Sequence, residues 1–171
     1  ATPHEKGKSY PFVPMQSLSQ TSMLIGAREE RAISGGAKFR NFDTLLARIT
    51  PCLENGKTGF VQFLDEETTC ASGSTEFIVM RSKTVSPYWV YCLAREESFR
   101  QHAIRSMSGA DGRQRVNSKC FGTFMTYEPP STILTSFDAV VQPVFEQVEV
   151  LARQNTALSV ARDELLPKLM S

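Results

Sequence analysis

Nine consecutive residues, Ser108-Gly109-Ala110-Asp111-Gly112-Arg113-Gln114-Arg115-Val116, combine side chains suited to reading base edges with glycines that let a backbone come close to a ligand. Arginine offers paired N–H groups that match guanine O6 and N7, while glutamine offers the donor and acceptor that match adenine N6 and N7. Such a loop can position and read a duplex, although Gly-Asp-Gly segments flanked by charge are also ordinary surface turns. Other chemistry is scarce. The two histidines are His4, near the start, and His102, inside an amphipathic stretch; Cys52, Cys70, Cys92 and Cys120 are scattered with no C-x-x-C pair. A Cys-His nucleophile pair stays open on composition, but no flanking signature marks one, and reduced, mostly buried thiols are expected. No G-x-G-x-x-G, P-loop or H-E-x-x-H is present. Tyr127-Glu128-Pro129-Pro130 lacks the Asp or Asn before the prolines, and the aromatic after them, that a methyltransferase motif of this kind needs. The expectation is a chain with no catalytic set, no cofactor and no metal.

Charge points the same way as the loop. Between Ser98 and Cys120, Arg100, Arg105, Arg113, Arg115 and Lys119 face only Asp111. Residues 1–127 carry 16 Lys and Arg against 12 Asp and Glu, whereas residues 128–171 carry 3 against 6, so the net charge of +1 conceals a basic part and an acidic part. A polyanion would meet the first. Base contacts are expected from Arg113, Gln114 and Arg115, within the loop that Ser108 and Gly109 open, with Lys57 and Arg105 as further candidates. Lys38, Arg40, Arg100 and Lys119 suit phosphates. The competing reading of each is an exposed, solvated charge.

These residues need a scaffold, and 171 residues with 41% hydrophobic and 22% charged content fit one folded domain with an appended element. No apolar run approaches the about 18 residues of a membrane span, and Ala1-Thr2-Pro3-His4-Glu5-Lys6 lacks the plan of a signal peptide, so a soluble, cytoplasmic chain is expected. The start at Ala1 and the stop after Leu169-Met170-Ser171 are read as those of a fragment. Tyr10 to Met15, with two prolines, predicts an edge strand, and Gly35-Gly36 breaks the chain. Leu45, Ala47 and Ile49 alternate with Leu46 and Arg48 in a strand ended by Pro51; an Asn55-Gly56 turn and a returning strand over Phe60 to Leu64 complete a hairpin. Ser72-Gly73-Ser74 is read as a break before a strand over Glu76 to Arg81. Pro87 to Met107 reads as helical, with Trp89, Cys92 and Leu93 and then Phe99, Ala103 and Ile104 on its apolar face, and a short strand is expected around Phe121 to Tyr127.

Pro129-Pro130 divides the chain into 1–128 and 129–171. Beyond it, positions 137, 141, 144, 148, 151, 155, 158, 162, 165 and 169 alternate steps of four and three and read Phe137, Val141, Val144, Val148, Leu151, Asn155, Leu158, Arg162, Leu165 and Leu169. Eight of these ten are apolar, the mark of a coiled-coil seam. A short helix over Ile133 to Val140, a kink at Pro143 and a long helix from Pro143 to Leu166, stopped by Pro167, are predicted. Packing against the same chain is the alternative to a partner helix; the polar Asn155 and Arg162 favour the partner, since a lone polar seam residue sets register and partner number. The architecture expected is α+β, a mixed or antiparallel sheet domain followed by a long helix.

Several phrases together resemble one family, the DNA-specificity (S) subunit of type I restriction-modification enzymes. They are Phe42-Asp43-Thr44-Leu45-Leu46-Ala47-Arg48-Ile49-Thr50-Pro51-Cys52-Leu53-Glu54-Asn55-Gly56-Lys57-Thr58, Gly73-Ser74-Thr75-Glu76-Phe77-Ile78-Val79-Met80-Arg81, Met107 to Val116, and Gln154-Asn155 to Leu158 with Arg162-Asp163-Glu164-Leu165-Leu166-Pro167-Lys168-Leu169. The resemblance implies a target recognition domain followed by a helical spacer that pairs in an antiparallel coiled coil. It implies double-stranded DNA as ligand, with methyltransferase (M) subunits and, through them, a restriction (R) subunit as partners. One domain and one spacer imply half a subunit, reading one half of a split target, or a half-length protein that forms a homodimer through the helix. The alternative kept beside it is a coiled-coil assembly protein without DNA contact, and, more remotely, a small thiol enzyme.

Overall fold

The computed structural model describes residues 8–32, 35–65, 70–110 and 112–170; the expectations for His4 and Asp111 fall outside them. Among the described residues seven strands form, β1 (Ser9–Val13), β2 (Glu29–Ala32), β3 (Ala37–Phe39), β4 (Thr44–Ala47), β5 (Thr58–Phe60), β6 (Ala71–Gly73) and β7 (Phe77–Met80), followed by helices α1 (Pro87–Arg95), α2 (Glu97–Arg105) and α3 (Ser131–Leu169). One sheet has the order β2-β1-β6-β3 and contains a parallel β1–β6 pair; the other, β5-β4-β7, is antiparallel. The expected α+β architecture with mixed sheets and a long C-terminal helix is the one observed.

Strand β4 lies between two of the apolar clusters of the core. All four of its residues are buried, because successive side chains leave opposite faces and both faces are covered. Leu45 packs with Val13, Leu18, Phe39, Val61 and Phe77, under the first sheet. Leu46 packs the other way with Leu53, Ile78, Phe99, Ala103 and Val116, under α2. The alternation in this segment therefore separates two cores and not core from solvent.

Several expected elements shift, each for a local reason. Strand β1 is interior, between β2 and β6, not an edge; the β6 ladder pairs only Phe12 and Val13, so Pro11, with no N–H to give, stands outside it. The expected break at Ser72-Gly73 is strand β6, where a side chain on Gly73 would come within 2.8 Å of both the Phe77 ring and the Val13 carbonyl. The returning strand, expected over Phe60 to Leu64, is β5 at Thr58–Phe60, so it ends where the expectation began. The helix predicted over Pro87 to Met107 is two helices. Glu96 is extended (φ −68°, ψ 137°), and its carboxylate accepts the Phe99 N–H at 2.9 Å, capping α2. Helix α1 buries Tyr88, Tyr91 and Ala94, not the predicted Cys92, which is exposed. The strand expected over Phe121 to Tyr127 is instead a 3-10 turn over Ser118–Thr123 and an irregular stretch, because Phe121 stacks on Phe99 (centroids 4.8 Å, 11°) and Phe124 meets it edge-on at 5.1 Å.

Helix α3 runs without interruption from Ser131 to Leu169, through Pro143 and past the predicted stop at Pro167. Pro143 and Ala139 are both exposed, so the Ala139 carbonyl that loses its N–H partner lies where water can replace it. Phe145, two residues on, is the buried anchor: its ring meets Phe60, Tyr88 and Tyr91 with centroids 5.0, 5.0 and 5.4 Å away. Burial in this cluster pushes the Tyr91 hydroxyl up to about 12. Phe137 adds an edge-on contact with Trp89 at 5.2 Å, and Val141 packs on the same cluster. The Gln62 side chain donates to the Phe145 carbonyl (3.1 Å). Beyond Ala152 every described residue of the helix is exposed, including Leu158, Val160, Leu165 and Leu169.

Candidate nucleic-acid interface

The loop singled out in the sequence is a small hairpin fixed on the end of β4. Ser108 and Arg115 exchange both backbone hydrogen bonds (2.8 and 3.1 Å). The Thr50 N–H donates to the Gln114 carbonyl (3.1 Å), and the Val116 N–H to the Arg48 carbonyl (2.9 Å), while Ile49 and Arg115 form a bridge. Val116 is fully buried and pins the far end. Gly109 has φ +124°, a conformation that favours glycine, and a Cβ there would also come within 3.3 Å of the Arg113 carbonyl oxygen. The Arg113 side chain is exposed at that tip and Gln114 is partly exposed.

Arg115 is not an isolated cation. Its Nε donates to both Glu76 oxygens (2.9 and 3.0 Å), and Nη2 lies 2.8 Å from Oε1. The hydrogen bond and charge of Glu76 raise the Arg115 pKa further, so the guanidinium stays charged. Arg48 faces the same carboxylate at 4.0 Å. Neither Glu76 nor Arg48 was singled out from the sequence: a search for excess positive charge passes over the acid that organises it, and only the nearness of both to strand ends was available as a signal.

The remaining predicted residues are dispersed. Arg105, at the end of α2, and Lys119, in the turn after it, are exposed and lie on the elements flanking the hairpin. The Arg100 side chain is mostly covered and bonds Glu97, and Lys57 Nζ donates to the Met15 carbonyl (3.2 Å). Lys38 and Arg40 are exposed on and after β3. Arg40 lies near the Thr44 end of β4, where its N–H bonds Asp43, whereas Arg115 lies beyond the Ala47 end. The Thr44 end is also the one that pairs with Phe60 and so adjoins the α3 anchor. Loop and helix anchor thus occupy opposite ends of one buried strand.

His102 and Cys120 are not arranged for thiol chemistry. His102 Nε2 faces the Cys120 carbonyl (2.9 Å) and its ring lies on Phe124, while burial pushes the Cys120 thiol up, the reverse of an activated nucleophile. Among the described residues no group of three His, Cys, Asp or Glu could hold a metal, and no helix is long and apolar enough to cross a membrane.

An α+β domain with two small sheets, a helix pair and a long helical arm is the class this chain falls in, and solved structures share it. The HsdS subunit from Thermoanaerobacter tengcongensis matches with a TM-score of 0.63 at 17% identity, over 94% of this chain and 42% of that one. A chain from a type I restriction-modification system, solved for its complex assembly and conformational transition, matches with 0.62 at 17% identity, over 97% and 43%. In sequence, the specificity subunit of the type I restriction enzyme EcoEI of Escherichia coli is 24% identical over 168 residues, covering 94% of this chain and 28% of that protein. No family model matches. The chain spans less than a third of that relative's length. The resemblance to type I specificity subunits drawn from the sequence is borne out by these comparisons.

Proposed function

We propose that this chain recognises double-stranded DNA and reads one half of a split target for a type I restriction-modification complex, without itself being a catalyst. The observation that carries the reading is the hairpin closed by Ser108 and Arg115, presenting Arg113 and Gln114 from a backbone bonded to Arg48, Ile49 and Thr50 just beyond β4. Lys and Arg around it, Arg105 and Lys119 first and Lys38 and Arg40 farther out, supply sequence-independent attraction to phosphates, and the hairpin supplies discrimination. In this reading residues 1–128 form the target recognition domain and residues 129–171 the spacer. The stripe of α3, from partly buried Val148 through exposed Leu151, Asn155, Leu158, Arg162 and Leu165, pairs with a second such helix, in a longer subunit or in a homodimer, while Phe137, Val141 and Phe145 hold the helix to the domain. Val144 sits exposed between the two groups. M subunits and, through them, an R subunit are the partners, in the cytoplasm.

The test is the methylation pattern of genomic DNA in a strain carrying the intact gene. A split target is expected, with Arg113→Ala and Gln114→Ala together altering one half and leaving the other. Methylation indifferent to both substitutions would favour the alternative, an assembly protein without DNA contact.

A further inference from the structure

We infer that Glu76 is a positioning residue that sets Arg115 against one guanine of the target, so that the pair determines specificity at one base pair. The inference rests on the DNA-reading function proposed above and adds to it a base and a residue. Glu76 is itself fixed: its N–H is taken by the Ser74 hydroxyl (3.2 Å) and its carbonyl accepts the Arg48 N–H (3.0 Å). Arg115 is fixed at its backbone by the two bonds to Ser108 and at its guanidinium by the carboxylate, which takes Nε and, at 2.8 Å, one side of Nη2, leaving that nitrogen's second N–H. Nη1 makes only a long contact with the Arg113 carbonyl, 3.4 Å. The terminal nitrogens therefore keep N–H groups that no other acceptor among the described residues takes, on a side chain still 45% exposed.

Two neighbouring donors held in a plane match the two acceptors, O6 and N7, of guanine in the major groove; adenine offers an acceptor beside a donor, and so opposes one of them. The rotamer freedom of Arg115 is lost on folding and not on binding, which favours discrimination. A phosphate would also accept the fork, but it would lie beside the Glu76 carboxylate, whose charge offsets that of Arg115; Arg48, at 4.0 Å, offsets only part of that carboxylate. A neutral acceptor pair meets no such penalty. Phosphates go instead to exposed cations that pair with no acid among the described residues, Arg105 and Lys119 on the flanking elements.

The experiment is selection of a randomised duplex pool by the purified chain, its Glu76→Gln and Arg115→Lys variants, and Arg113→Ala as comparison. Sequencing of bound duplexes reads preference position by position, and thermal melts establish that each variant is folded. The wild type is expected to enrich a motif containing a guanine whose preference falls about tenfold or more in both Glu76→Gln and Arg115→Lys, at that position alone. Glutamine keeps the shape of the side chain but not the charge, and lysine keeps the charge but not the fork, so a purely structural role would not single out the same base pair. A wild-type motif left unchanged by both variants, or weakened alike at all positions, overturns the inference while leaving the DNA-reading function standing. No motif from the wild type would reject that function, and this inference with it.

Discussion

Phe145 of α3 meets Phe60 of β5 edge-on, with ring centroids 5.0 Å apart and planes at 85°, and through this contact the long helix joins the sheet that carries the basic hairpin. Because Phe60 pairs with Thr44 at the start of β4 and the hairpin bridges Ile49 just beyond its end, one short buried strand links helix to loop.

Removing the Phe145 ring should release the helix. Phe145→Ala is expected to cost about 3–5 kcal/mol in urea unfolding, the range for truncating a buried aromatic, and to expose residues 137–149 to hydrogen exchange. Val144→Ala, one residue away and 57% exposed, should change stability by no more than about 0.5 kcal/mol. Similar losses for both would contradict the anchor.

Asp43 is 1% exposed and its carboxylate is met by the Arg81 Nε (2.7 Å) and Nη2 (2.6 Å) and the Arg40 N–H (2.9 Å). Arg81→Met leaves that buried charge without its cation. The expected loss is about 2–3 kcal/mol, below the about 3–5 kcal/mol of a fully buried pair because the Arg81 side chain is 44% exposed. Restored stability in the double variant Asp43→Leu, Arg81→Met would show that the unpaired charge carries the cost.

Glu96 gives a pH dependence with a definite sign. The Ser98 hydroxyl first, and the Ser98 and Phe99 N–H groups next, hold its carboxyl below the usual carboxylate range. A lowered folded pKa means stability present above the unfolded carboxylate pKa of about 4.3 and lost as pH falls through the lower folded value. Glu96→Gln should therefore lower Tm at neutral pH and flatten the acid limb of the Tm profile. Parallel acid limbs for wild type and variant would contradict the cap.

What the sequence made legible, and what it hid, follows from local physics. The loop was visible because its glycines and its cluster of arginine and glutamine stand together in a basic stretch, though such segments are also ordinary turns, and the β4 strand because its apolar run is ended by Pro51 and an Asn-Gly turn. Strand β6 was hidden since Ala71, Ser72 and Gly73 carry no β-branched signal; close packing of Phe77 selects them. The break at Glu96 was hidden because apolar spacing continues across it. Phe145 lies off the 3.5-residue seam, so counting that seam passed over the residue that ties the helix down.

Beyond Ala152 the arm presents its apolar stripe to solvent. Sedimentation should show association through it, abolished by Leu158→Glu with Leu165→Glu while the domain melts unchanged. Asn155→Leu should strengthen association and loosen partner number. A monomer at all concentrations would remove the homodimer from the proposal.

The central claim is that this chain grips DNA by charge and reads it by the hairpin, and titration of selected and scrambled duplexes at several salt concentrations tests it most directly. Binding is expected to fall steeply with salt for both duplexes, by roughly one unit less of slope in Lys119→Ala, which should weaken both alike. Arg113→Ala should weaken the selected duplex about tenfold to a hundredfold and the scrambled one much less. Salt-insensitive binding, or equal losses on both duplexes for Arg113→Ala and Arg115→Ala, would contradict the account.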